Sequence, residues 1–345
     1  MSDALPLPSR PNLEQYKKLA KELQAACNSG DPPAVRAWAA RWLEKLARLR
    51  GVTQITIDVR HGIDAYIDRI MRQWGRLGKG DHGARYALAD AQFFIARCHG
   101  FESWPKFTRH LEALRRADSS VSKFERAADA IVSGDKAALD DLLAEDPKLA
   151  HARSTREHRS TLLHYVSANG VEDFRQKTPS NIVEITKQLL AHGADVNAES
   201  EAYGGGATAL GLTATSVHPE VAGVQLELLQ VLIDHGARID PIGKGSAIRD
   251  CLANGRGLAA EFLATRGARI GLEEAGGIGR LDIVQSFFDP DGSLRPPATQ
   301  EQVQEAFTWA CQFGRTPVVE FLLGRGIEIG ARLQPFGQTG LHWAA

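Results

Sequence analysis

The chain has 345 residues, 43% of them hydrophobic and 24% charged, with a formal net charge of −1 at pH 7. That composition is ordinary for a globular protein, and the length suits two domains or one solenoid. No apolar run approaches the length of a membrane helix, and the opening MSDALPLPSRPN carries no apolar signal segment, so a cytoplasmic chain is expected.

Residues 12–28 read as a helix. Asn12 can cap it, with Gln15 three residues later, and Leu13, Tyr16, Leu19, Leu23 and Ala26 form one apolar face before Gly30 ends it. Asp31-Pro32 opens a second helix with Val35, Trp38, Trp42, Leu46 and Leu49 on one side; tryptophans at that spacing read as core. Between Gly51 and Gly80 two periods compete. Ile55, Ile57 and Val59 alternate as in a strand, whereas Ile63, Ile67, Ile70 and Trp74 have helical spacing, and the helix is expected from Asp58 to Trp74. GRLGKGDHG then reads as a flexible connection. It is not a phosphate-binding loop, because no glycine stands at the required distance before its Gly-Lys and no Ser or Thr follows the lysine.

Residues 88–116 predict a helical hairpin. Phe94, Ile95 and Cys98 lie on the first helix, Gly100 stops it, and Ser103 caps a second helix with Pro105 in its first turn. Phe107, Leu111 and Leu114 are expected to face inward. Two uses fit this segment. The hairpin can close one end of the molecule, or it can act as a helix-turn-helix in which Lys106, Arg109 and His110, followed by Arg115 and Arg116, meet nucleic acid.

From Phe124 onward a repeat emerges. The first helix of each unit carries L-x-x-A-small-x-x-G, at Leu163/Val166/Ser167/Gly170, Ile248/Cys251/Leu252/Gly255, Leu272/Ala275/Gly276/Gly279 and Phe307/Ala310/Cys311/Gly314. The second helix carries Leu-Leu with a following glycine, at Leu189-Leu190 with Gly193 and Leu322-Leu323 with Gly326, and in degenerate form at Leu232-Ile233 and Leu263-Ala264. The openings Thr161-Leu162-Leu163-His164 and Thr339-Gly340-Leu341-His342 recur, with weaker versions at Thr208 and Ser246. No such unit buries its apolar face alone, so copies must stack. These motifs resemble the ankyrin repeat, whose period is about 33 residues. The resemblance covers roughly Phe124 to the end, although the T-P-L-H proline is missing and the spacing is interrupted.

The resemblance implies an all-α protein. A basic helical region, 1–117, precedes an ankyrin-type α-solenoid of helix pairs with short hairpin fingers, 118–345. It also implies a binding module whose concave face and fingers hold a protein partner. The finger candidates are Glu199, Glu201, Tyr203, Arg238, Lys244 and Arg269. The segment VEDFRQKTPSN interrupts the Thr161 unit. The closing GQTGLHWAA reads as the opening of a further, truncated unit, so an uncapped apolar end carrying Trp343 is expected to promote self-association.

No catalytic constellation is expected. The eleven histidines lack H-x-x-x-H and H-E-x-x-H spacing, no G-x-S-x-G or complete G-x-G-x-x-G is present, and the four cysteines form no C-x-x-C pair. No enzyme activity, metal or cofactor is expected. Residues 1–117 hold 20 Lys/Arg against 12 Asp/Glu, a charge of +8, and 118–345 hold 21 against 30, a charge of −9. Either the halves dock on each other or one of them meets an external partner.

Overall fold

The computed structural model describes residues 4–8, 10–31, 33–76, 85–243, 245–330 and 338–344. The glycine-rich connection from residue 77 onward and Lys244 lie outside them. Among the described residues the regular structure is helical, apart from one two-residue antiparallel hairpin and two isolated bridges.

Five helices form the N-terminal region. Helix α1 (Leu13–Asn28) begins where Asn12 Oδ1 accepts the Glu14 amide at 2.9 Å. It buries Tyr16, Ala20 and Leu23. Helix α2 (Pro33–Leu49) faces it with Trp38 and Trp42, whose rings lie 5.1 Å apart. Helix α3 (Ile57–Arg76) buries Ile63, Ile67 and Ile70 but leaves Ile57 exposed. The helical period prevails there because that stripe has α2 to pack against. After α4 (Leu88–Cys98), Gly100 turns the chain at a φ of 79°. Helix α5 (Trp104–Leu114) then starts with Ser103 Oγ accepting the Lys106 amide at 3.4 Å. All five helices enclose one apolar core that includes Phe94, Phe101, Phe107 and Leu111. Each such side chain contributes on the order of 1.5–3 kcal/mol of burial.

The remaining chain runs through α6 (Ser120–Ser133), α7 (Lys136–Glu145), a 3₁₀ turn (Leu162–Ser167) and α8 (Ile182–Ala191). The hairpin of β1 (Glu199–Ser200) and β2 (Ala207–Thr208) leads into α9 (Ala209–Thr215), α10 (Val217–Val221) and α11 (Gln225–Asp234). Helices α12 (Ala247–Ala253), α13 (Gly257–Thr265), α14 (Leu272–Ile278), α15 (Leu281–Ser286), α16 (Gln300–Gln312), α17 (Thr316–Leu323) and α18 (Gly340–Ala344) follow. One row packs in sequence: α6, the 3₁₀ turn, α9, α12, α14, α16 and α18. On a second row α8 packs on α11, α11 on α13, and α15 on α17.

The glycines that close the first element of a pair are needed there. Gly134, Gly255, Gly279 and Gly314 all have φ between 67° and 78°, where a side chain is strained. Gly276 serves a different purpose: a Cβ on it would lie 2.6 Å from the Ala306 carbonyl oxygen, so α14 and α16 touch backbone to backbone. His164 ties successive units together. Its Nδ1 accepts the Thr161 amide at 3.1 Å, and Nε2 lies 3.1 Å from the Ala207 carbonyl, to which it donates. His342 repeats the local half of this arrangement on Thr339, at 3.3 Å. Gly340 is buried beside Phe307, while Leu341 and Trp343 of α18 remain exposed.

Candidate binding groove

Two charged regions stand out, and they differ in kind. The first lies where the five N-terminal helices meet α6 and the segment after it. Glu125 comes from α6, Arg156 from the loop before the 3₁₀ turn, and Glu172 and Arg175 from the insertion. All four are buried, Arg156 and Glu172 almost completely. Arg175 Nη1 donates to Glu125 Oε2 at 2.8 Å and to Glu172 Oε1 at 3.4 Å, while its Nε donates to Asp129 Oδ1 at 2.8 Å. Arg156 Nη2 donates to Glu125 Oε2 at 3.3 Å, Nη1 reaches the His99 carbonyl at 2.7 Å, and Nε pairs with Glu172. Tyr165 Oη donates to Glu172 Oε1 at 3.4 Å. Among the described residues, Glu125 Oε1 and Glu172 Oε2 have no hydrogen-bond donor.

Burial alone would raise both carboxyls, but the guanidiniums outweigh it. Arg175 and Arg156 hold Glu125 below the usual carboxylate range, and Arg156 and Arg175 hold Glu172 well below it. Burial lowers the neighbouring His99 to about 3 and His110 to about 4, so both rings are neutral at pH 7. Further contacts join the halves here. Arg97 pairs with Glu157 at 2.5 Å, Tyr66 Oη donates to Asp173 at 3.0 Å, and Arg50 lies over the Phe174 ring.

The second region is a groove of about 560 Å³ between the β1–β2 hairpin, α9, α10 and α12. Its wall is fixed by polar contacts: Tyr203 Oη donates to Asn169 Oδ1 at 2.6 Å, and Asn169 Nδ2 donates to the Leu212 carbonyl at 3.2 Å and to Thr215 Oγ1 at 3.1 Å. Among the described residues, Arg159, Ala168 and Tyr203 are the non-glycines with positive φ; Ala168, at 46°, and Tyr203, at 55°, both line this groove. Such conformations cost about 1–3 kcal/mol each and cluster at functional surfaces.

Of the finger candidates, Arg238 and Glu199 engage each other, while Tyr203 and Arg269 bind other groups. Arg238 Nη2 donates to Glu199 at 3.0 Å, and its amide donates to Asn197 Oδ1 at 2.7 Å. Arg269 holds the next loop through the carbonyls of Pro241, Gly243 and Gly245. Its own amide donates to Asp240 Oδ2 at 2.8 Å. Tyr203 and Arg238 line the groove, but Glu201 lies elsewhere. It borders a second cleft, of about 790 Å³, with Lys106, Arg109 and His110. Three carboxylates, Glu102, Glu157 and Glu201, line that cleft as well, and Lys106 pairs with Glu102.

One expected nucleic-acid contact is overturned. His110 is 2% exposed, not on an open helix face. It follows Phe107 by three residues and so falls on the buried stripe, where Nδ1 lies 2.7 Å from Thr155 Oγ1. Arg109, Arg115 and Arg116 are exposed. The four cysteines are free, and burial pushes the Cys251 thiol up to about 12, far from a nucleophilic thiolate. Among the described residues, no group of three or more His, Cys, Asp or Glu side chains is placed to hold a metal ion. Nor is any described helix long and apolar enough to cross a membrane.

Residue patterning missed the Glu125–Arg156–Glu172–Arg175 cluster and Asp250. A signal for the cluster existed: Glu125 stands next to Phe124 and three residues before Ala128, on the apolar side of its helix. Comparison of the chain with protein-family models and with curated proteins finds no match.

Proposed function

We propose that the chain is a non-catalytic protein-interaction module of ankyrin-type repeats, holding a partner protein between its fingers and inner helices. The repeat reading is supported by the recurring left-handed glycines, the packed row of first helices, and the parallel Thr161–His164 and Thr339–His342 contacts. The binding reading rests on one observation. Two residues in strained backbone, Ala168 and Tyr203, line a groove whose wall is braced by Asn169. A rigid preformed surface of this kind binds by complementary shape and charge, with little ordering cost and no covalent step. Nucleic-acid binding through residues 88–116 has less support, since His110 is buried and the adjoining cleft sets three carboxylates against Lys106, Arg109 and Arg159.

Photocrosslinking tests this. A benzophenone side chain at position 203 should yield discrete protein adducts, whereas the same group at Glu227, exposed on α11, should not. Filling the groove with Gly211→Trp should abolish the adducts; a Cβ there meets only Thr208 Oγ1, at 3.5 Å. Equal adducts from both positions, or none from 203, would overturn the reading.

A further inference from the structure

The groove carries four charged side chains besides its histidine: Arg238, Asp240, Asp250 and Arg256. Three of them are occupied. Arg238 binds Glu199, Arg256 pairs with Glu220, and Asp240 accepts the amides of Ala247, at 3.1 Å, and Arg269. Asp250 is different. No hydrogen bond or ion pair from a described residue reaches its carboxylate; its backbone carbonyl accepts from Asn254, but its side chain is left facing solvent. Arg249, next to it, is drawn away to Glu305 at 2.6 Å and Glu273 at 3.5 Å. Arg238, Arg256 and, through the Arg269 guanidinium at 3.5 Å, Asp240 are each matched by an opposite charge; Asp250 feels Arg249 only at a distance, so among the described residues it is the groove charge that no ion pair takes up, beside an apolar wall that includes Leu212 and Val217.

We propose, resting on the groove reading above, that Asp250 is the receptor for the ammonium or guanidinium of a Lys or Arg side chain. That side chain is carried on an extended segment of the partner protein, whose apolar residues cover Leu212 and Val217. Asp250 lies in a partly buried position that disfavours its ionised form; an arriving cation offsets that penalty, and in the half-dry groove the attraction is stronger than at an open surface. A divalent metal is a poor match, because among the described residues no group of three or more His, Cys, Asp or Glu side chains is placed to hold one.

The test is selection of a random-peptide phage library on the full chain, followed by fluorescence anisotropy of the enriched peptides. Wild type, Asp250→Asn and Gly211→Trp would be compared, with circular dichroism to verify folding. The expected result is a shared Lys or Arg among the peptides and a loss of about tenfold or more on Asp250→Asn. Replacing that peptide residue by glutamine should weaken wild-type binding equally and erase the difference between wild type and Asp250→Asn. Peptides displaced by Gly211→Trp that share no basic residue, or that ignore Asp250→Asn, would sink the cation subsite and leave the groove standing. Peptides indifferent to Gly211→Trp, or no enrichment at all, would sink both.

Discussion

The buried cluster at Glu125, Arg156, Glu172 and Arg175 and the groove around Asp250 are both charged, and they obey opposite rules. In the cluster, each charge touches an opposite one. In the groove, no described residue forms a hydrogen bond or ion pair with the Asp250 carboxylate. Physical necessity explains the first. A charge removed from water costs several kcal/mol unless it is matched, so buried charges must meet opposite ones. Nothing forces completeness on Asp250, because water solvates what the protein does not. Pairing therefore separates side chains that hold the two halves together from those available to something outside.

The largest expected effect breaks the buried side of that contrast. Arg156→Ala leaves Glu125 and Glu172 short of a guanidinium in a dry site, and should cost roughly 3–5 kcal/mol in urea denaturation. A loss below about 1 kcal/mol would mean that the cluster is not a closed network. Acid should attack the same place. His99 and His110 titrate near 3 and 4 when folded but near 6.5 when unfolded, so the unfolded chain holds more protons between those values. Stability should then fall as the pH drops below about 6.5, by up to ~2.7 kcal/mol per pH unit for the pair. The depressed carboxyls act in the same direction. Their stabilisation is present above the ordinary carboxylate range and is lost as the pH falls from that range through their lowered folded values. His110→Gln should flatten part of the slope; a flat wild-type profile from pH 7 to 5 would contradict the burial argument.

Gly276→Ala probes the uncharged interior for comparison. The new methyl meets the Ala306 backbone at 2.6–2.7 Å, so α14 and α16 must separate, at a cost of about 1–3 kcal/mol. That cost should be equal at pH 7 and pH 5. The cost of Arg156→Ala should shrink as the pH falls, because in the variant the carboxylates that have lost this guanidinium take up protons more readily than in the wild type.

These contrasts explain what could be read in the residue order. Helices announced themselves through caps and periods: Asn12, Ser103 and the Ile63–Ile67–Ile70 stripe act within a few residues of where they stand. The His164 contact on Thr161 was likewise local. The buried cluster was not, because Arg175 meets Glu125 across 50 positions and through an insertion with no periodic pattern. His110 misled because it stands beside Lys106 and Arg109 in the chain while its ring turns to the Phe101 side of the helix. In the groove, Tyr203 and Arg238 were legible as finger residues. Asp250 resembled any solvated helix position, since the lack of a partner is a property of the folded surroundings and not of the neighbouring sequence.

The smallest expected effect sharpens the open side of the contrast. Asp250→Asn keeps the shape of the side chain and removes its charge. Because burial, with Asp240 nearby, raises the Asp250 carboxyl above its ordinary range, the folded state tolerates the ionised form slightly less well than the unfolded chain does. Above that range the charge is therefore a small liability, and the asparagine should be neutral or more stable by a few tenths of a kcal/mol, roughly, after solvent screening. Urea denaturation at pH 7 measures this directly. A clear loss would show that Asp250 has a structural partner after all, and the division between closed and open charge would fail at its central residue. An unchanged or raised midpoint, together with loss of peptide binding, would mark a residue whose charge is retained for contact and not for the fold.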